Sequence, residues 1–173
     1  APSTGSTTPC LGGTPPISGV GIYAFTFNSG SGDISIRGGS PNLGAISTRS
    51  INIGSCSWGT TTFVATGAGN IYLFGDGSQI AQNNAWGIAT ASMNFSTQAG
   101  NITLEGRGNP SGPTNARGMS IGGATTFTSV SGNVRLVDTT SGAIAGYTGI
   151  NLGAAISVTT AGTFRVEADE ISQ

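Results

Sequence analysis

Gly100-Asn101-Ile102-Thr103-Leu104-Glu105-Gly106-Arg107-Gly108 is the stretch from which the fold of this 173-residue chain can be read. Ile102 and Leu104 alternate with Thr103 and Glu105, so in an extended strand the apolar pair faces one side and the polar pair the other. The same phrase returns without gaps as Gly32-Asp33-Ile34-Ser35-Ile36, Gly69-Asn70-Ile71-Tyr72-Leu73, Gly132-Asn133-Val134-Arg135-Leu136 and Gly162-Thr163-Phe164-Arg165-Val166. The leading glycines of these copies are 37, 31, 32 and 30 residues apart. A recurrence at that distance marks a repeat architecture, because one such unit cannot bury its apolar face alone.

Two further segments recur in the same order. One runs through Gly21-Ile22, Ser50-Ile51-Asn52-Ile53, Gly87-Ile88, Gly118-Met119-Ser120-Ile121 and Gly149-Ile150-Asn151-Leu152. The other runs through Phe25-Thr26-Phe27, Phe63-Val64-Ala65, Met93-Asn94-Phe95, Phe127-Thr128-Ser129-Val130 and Ile156-Ser157-Val158. Three short strands per unit give a β-solenoid of about four and a half coils, with like strands pairing in parallel about 4.8 Å apart. The glycine before each first strand is expected to supply a positive φ at the corner. Asp33, Asn70, Asn101 and Asn133 should line up just after it as a polar ladder. A helix is excluded by the glycines and β-branched residues in every window. A β-sandwich also has short, regularly spaced strands, but its strands need not resemble one another in threes.

Composition agrees with a turn-rich ordered chain: 36% hydrophobic, 30 glycines, and only 8% charged, against the roughly 25% of an ordinary domain. The length suits one domain, read as a Pro/Ser/Thr/Gly-rich arm over 1–18 and a solenoid over 19–173. The net charge is −1, there is no histidine, and Arg37, Arg49, Arg107, Arg117, Arg135 and Arg165 are scattered. Nucleic acid, which demands a clustered basic patch, is not an expected partner. No apolar run approaches the roughly 20 residues of a membrane span. The opening Ala1-Pro2-Ser3-Thr4-Gly5 reads as the start of a mature secreted chain, placing the protein outside the cell or on its surface. In that oxidising setting Cys10 and Cys56 are expected to form a disulfide that ties the arm to the first coil.

The 100–108 run, with its relatives at 69–77 and 132–138, resembles the repeats of filamentous-haemagglutinin-like bacterial surface proteins over roughly residues 20–168. The resemblance implies a right-handed parallel β-helix and a secreted adhesin or surface-structure role.

Catalytic chemistry has little to build on. Without histidine there is no Ser-His or Cys-His couple and no general base of that kind, and no metal or cofactor motif is present. Glu105 and Glu167 share a position in their coils but have Val137 between them, which reads as a solvated face. Arg135 and Arg165 stand beside those acids as pairing partners. Asp169 and Glu170 read as solvated, and Tyr23, Trp58, Tyr72, Phe74, Trp86 and Tyr147 as aromatics packed on solenoid flanks more than as a glycan platform. A Thr ladder of the kind an ice-binding face needs is too irregular at Thr60-Thr61-Thr62 and Thr125-Thr126.

The chain opens on the second and third strands of one coil and closes on a first strand. Head-to-tail stacking would complete a coil and build a filament, with Ile22, Phe25, Phe27, Phe164 and Val166 at the junction. The expected function is thus a non-enzymatic structural subunit of a surface filament or adhesin, with self-association and a surface glycan as the expected partners. A carbohydrate-binding or carbohydrate-active β-helix is the alternative.

Overall fold

A computed structural model describes residues 17–22, 25–39, 48–53, 60–80, 85–111, 115–141, 147–168 and 171–172. Five passes of the chain each lay down three strands. The first gives β1 (Ile17–Ile22), β2 (Thr26–Asn28) and β3 (Ile34–Gly39), the second β4 (Thr48–Ile53), β5 (Thr61–Ala65) and β6 (Ile71–Asp76). Then come β7 (Trp86–Thr90), β8 (Met93–Thr97), β9 (Ile102–Arg107), β10 (Arg117–Ile121), β11 (Thr125–Ser129) and β12 (Val134–Asp138). The last pass gives β13 (Thr148–Leu152), β14 (Ile156–Thr160) and β15 (Phe164–Glu167), and β16 (Ile171–Ser172) begins another. Every third strand pairs in parallel. Sheet I is β1-β4-β7-β10-β13-β16, sheet II is β2-β5-β8-β11-β14 and sheet III is β3-β6-β9-β12-β15. The chain is therefore a β-solenoid with three strands per coil, as the repeat predicts.

The coil count exceeds the expected four and a half. β1 starts at Ile17, and Ile150 and Asn151 of β13 pair with Ile171 and Ser172 of β16. The closing first strand is therefore followed by a short second one, which the sequence reading missed because Ile171-Ser172 carries too little pattern to align. Residues 17 and 18, assigned to the arm, belong to β1.

In-register pairing turns each sequence position into a row along the axis. On sheet III, Ile34, Ile71, Ile102, Val134 and Phe164 form one inward row and Ile36, Leu73, Leu104, Leu136 and Val166 the next. Sheet I contributes Ile51, Ile88, Met119 and Ile150, all fully buried. Sheet II contributes Phe27, Phe63, Phe95 and Phe127, stacked ring on ring at centroid distances of 5.1, 5.0 and 5.0 Å with interplanar angles of 4°, 8° and 2°. One continuous core results.

The glycines before the sheet III strands do not supply positive φ, contrary to expectation; Gly30 and Gly67 are the described glycines that do. Close approach is what selects them. A Cβ on Gly69, Gly100, Gly132 or Gly162 would sit 2.2, 1.9, 2.0 or 2.4 Å from the carbonyl oxygen of the glycine one coil earlier. Backbones stack directly at this corner, and any side chain would push the coils apart. Hydroxyls lock it. Thr97, Ser129 and Thr160 donate to the carbonyls of Gly69, Gly100 and Gly132 at 2.9, 2.9 and 2.5 Å. They accept from the N–H of Gly100, Gly132 and Gly162 at 3.1, 2.9 and 2.9 Å.

Candidate functional site: the outer face of sheet III

The residues that alternate outward from sheet III form rows along the axis, the last of them, Gly39, Asp76 and Arg107, at the far end of the strands. At the corner, the expected polar ladder is present. Asp33 Oδ1 accepts from the backbone N–H of Asn70 at 2.6 Å, Asn70 Oδ1 from that of Asn101 at 2.9 Å, and Asn101 Oδ1 from that of Asn133 at 2.9 Å. Asn133 Oδ1 passes the pattern to the N–H of Thr163 at 2.9 Å. The amide groups also bond one another, Asn133 Nδ2 reaching Asn101 Oδ1 at 3.1 Å. Each side-chain oxygen thus satisfies a donor of the next coil where the chain has turned out of the sheet.

The second row is Ser35, Tyr72, Thr103, Arg135 and Arg165, and the third Arg37, Phe74, Glu105, Val137 and Glu167. Tyr72 and Phe74 point outward as the alternation predicts, both half-buried. The Arg37 guanidinium covers them, 5.0 Å and 5.7 Å from the two ring centroids. The Tyr72 hydroxyl donates to Glu105 at 2.8 Å; burial first, and this bond second, push its pKa up. At the other end Arg135 donates from Nε and Nη2 to the two oxygens of Glu167 at 3.2 and 2.9 Å. Arg165 Nε stands 3.3 Å from the same carboxylate. The Arg135 hydrogen bond, opposed by some desolvation, holds Glu167 below the usual carboxylate range. Of the two acids, then, Glu167 takes the arginine pairing and Glu105 a tyrosine hydroxyl.

Beside the arginines lies an open groove of about 370 Å³ lined by Asn101, Thr103, Asn133, Arg135, Thr163 and Arg165. All six carry hydrogen-bond donors and none is acidic.

The other aromatics do not join this face. Tyr147 is buried under the turns between sheets III and I, packed with Ile80, Ala85 and Ala116. Its hydroxyl bonds Thr140 and, at 3.0 Å, Asp138, and burial raises its pKa far above the ordinary 10.0. Trp86 donates from Nε1 to the Asn115 carbonyl at 2.6 Å, and the Arg117 guanidinium lies 5.3 Å from its ring centroid. Cys10, Cys56, Tyr23, Trp58, Asp169 and Glu170 lie outside the described residues.

Sheet II is the contrast. Its outward rows are Thr26, Thr62, Asn94, Thr126 and Ser157, and Asn28, Val64, Ser96, Thr128 and Thr159. Thr61 and Thr125 turn inward and are buried, so the Thr runs that look irregular in sequence resolve into an uncharged, hydroxyl-rich outer face.

Of the junction residues expected at the ends, Phe25 and Phe164 are 58% and 41% exposed. Ile22, Phe27 and Val166 pack against the core and are partly buried.

Fold and face together define a three-sided parallel β-solenoid whose sheet III carries a polar, charged outer face. Comparison with protein-family models, curated proteins and solved structures found no match.

Proposed function

We propose that this chain is a non-enzymatic structural protein of the cell surface or extracellular space, which stacks coil on coil with further copies of itself into a filament or adhesin stalk. The supporting observation is the pair of apolar rims. Among the described residues, β1, β2 and β3 at one end and β14, β15 and β16 at the other pair on one side only. Phe25 at the first rim and Phe164 and the 50%-exposed Ile171 at the second are solvated large apolar side chains. Unpaired parallel edges of this kind are templates for another strand, and a head-to-tail contact that does not close on itself propagates as a fibre. The likeness of the 100–108 phrase to filamentous-haemagglutinin-like repeats supports the same reading, with a surface glycan as a second partner.

A carbohydrate-active enzyme is less well supported. Its best acid/base pair, Glu105 and Glu167, stands two strands apart, about 9.6 Å by strand spacing, at the outer limit for an inverting glycosidase. Both carboxylates are also occupied by partners on their own face.

Electron microscopy and fibre diffraction of the purified chain test the stacking. Unbranched fibres with a meridional spacing of about 4.8 Å, lost in Phe164→Asp, are expected. Discrete rods one chain long at every concentration would overturn the proposal.

A further inference from the structure

The groove on sheet III has a charge ratio that its own residues leave unsettled. Arg135 and Arg165 come from adjacent strands in register, about 4.8 Å apart, and both touch the carboxylate of Glu167, while Glu105, bonded to Tyr72, acts on Arg135 only through space. Arg135 spends Nε and Nη2 on it, leaving Nη1. Arg165, whose side chain is 62% exposed, approaches it through Nε, leaving both terminal nitrogens of its fork. The hydroxyls of Thr103 and Thr163 have no partner among the described residues. The Asn101 and Asn133 amides each use one N–H within the ladder, leaving a second on each. Unused donors therefore converge on an open groove whose roughly 370 Å³ lies within the usual range for a small-ligand site.

We infer that this groove binds an acidic polysaccharide of the uronate class, one ring carboxylate docking on the free fork of Arg165 and Nη1 of Arg135. Glu167 shows what the pair prefers. It is a carboxylate held side-on by a guanidinium, the planar two-bond match that arginine makes and lysine does not. A second carboxylate gives each arginine a contact carboxylate of its own. The sugar hydroxyls meet the Thr103 and Thr163 hydroxyls and the spare amide N–H groups. The rows run along the solenoid axis, so a linear chain lies along the face over Arg165, Arg135 and Thr103. The site faces sideways from the sheet and not along its edge, so it does not depend on stacking and exists in a single copy.

The test is a titration of the whole chain with tetragalacturonate, read by backbone amide NMR shifts at Asn133 and Thr163, at a concentration where sedimentation shows one copy. Saturable shifts localised there are expected. Arg165→Ala should weaken binding about tenfold, the usual worth of a charge-assisted contact, and Arg165→Lys should weaken it less. Arg37→Ala, which removes the same charge from the far end of the face, should stay within about twofold of the parent, since exposed charges beyond about 10 Å are screened at ordinary salt. Absence of saturation overturns the inference. So does equal weakening by Arg37→Ala, which makes the effect one of net charge, or equally tight binding of tetraglutamate, which makes the site a peptide site.

Discussion

Phe95→Ala is the sharpest probe of how the core works. Phe95 is 1% exposed and sits between Phe63 and Phe127, each 5.0 Å away ring to ring. Phe→Ala in a packed core costs about 3–5 kcal/mol, depending on how far the surroundings relax into the gap. Here they cannot close in, because Phe63 and Phe127 stand on strands whose separation is fixed by the backbone ladders through β8. Two near-parallel ring contacts, each worth about 0.5–1.5 kcal/mol beyond buried area, disappear together. The cost should therefore lie near the upper end, about 5 kcal/mol. Phe27 is only partly buried, stacked on Phe63 and met on its other side by the tilted, solvated Phe25, and should cost about half as much on truncation because less of its surface leaves water. Urea unfolding followed by strand circular dichroism reads the difference. With a slope of about 2 kcal/mol per molar, Phe95→Ala should lower the midpoint by about 2.5 M and Phe27→Ala by about 1.2 M. Equal shifts, or a Phe95→Ala cost below about 2 kcal/mol, would mean that the stack is not a load shared between coils.

Gly100→Ala should abolish folding or cost several kcal/mol, since its Cβ would lie 1.9 Å from the Gly69 oxygen, whereas Gly39→Ala, with nothing within 4 Å, should leave the thermal midpoint nearly unchanged. Ser129→Ala leaves the Gly132 N–H and the Gly100 carbonyl without their hydroxyl partner and should cost about 1–3 kcal/mol in the same denaturation assay. Two of the shifted ionisations give separable tests of how stability depends on pH. Glu167 has a depressed folded pKa, so its contribution is present above the unfolded carboxylate value and is lost as the pH falls through the folded one; Glu167→Gln should flatten the acid limb of a stability-against-pH curve. Tyr147 has a raised folded pKa, so its contribution is full below the unfolded value of 10.0 and is lost as the pH rises from there toward the folded one; Tyr147→Phe should flatten the alkaline limb, at the cost of its hydrogen bonds to Asp138 and Thr140.

The solenoid was legible because stacking imposes an identity of position that few other folds require. Ile102 must resemble Ile71 and Val134 because they touch, so the sequence repeats where the structure does. The Asn ladder was legible for the same reason. The phenylalanine stack was missed although its signal was present: Phe27, Phe63, Phe95 and Phe127 are 36, 32 and 32 residues apart, each within one residue of the 37, 31 and 32 between the glycines of the same coils. Grouping the third strands as loose segments, with Phe63 and Phe127 set level with Phe25 and Met93 instead of with Phe27 and Phe95, hid the register. The corner glycines were read for the wrong property. Glycine serves both a positive φ and a close approach, and sequence does not separate the two; the 1.9–2.4 Å clearances do. β16 and the groove were invisible for a different reason, since a two-residue strand has no period and a groove depends on which side chains of separate coils end up adjacent.

The inward rows repeat because packing compels them to, and for that reason they say little about function. What function requires must be carried by outward positions, which packing leaves free. On sheet II those positions hold to small uncharged side chains from β2 to β14, a row pattern that serves the fold and asks for no ligand. On sheet III they break the pattern coil by coil: Ser35, Tyr72, Thr103, Arg135, Arg165. The Asn ladder runs unbroken beside them, so the irregularity does not come from a loss of register. Placing Arg135 above Arg165 puts like charges on directly neighbouring strands, an arrangement that costs stability unless something negative is shared between them. Glu167 is the carboxylate that both guanidiniums touch. A face that pays that cost in a chain with only 8% charged residues is where a second carboxylate, brought by a ligand, has the most to stabilise.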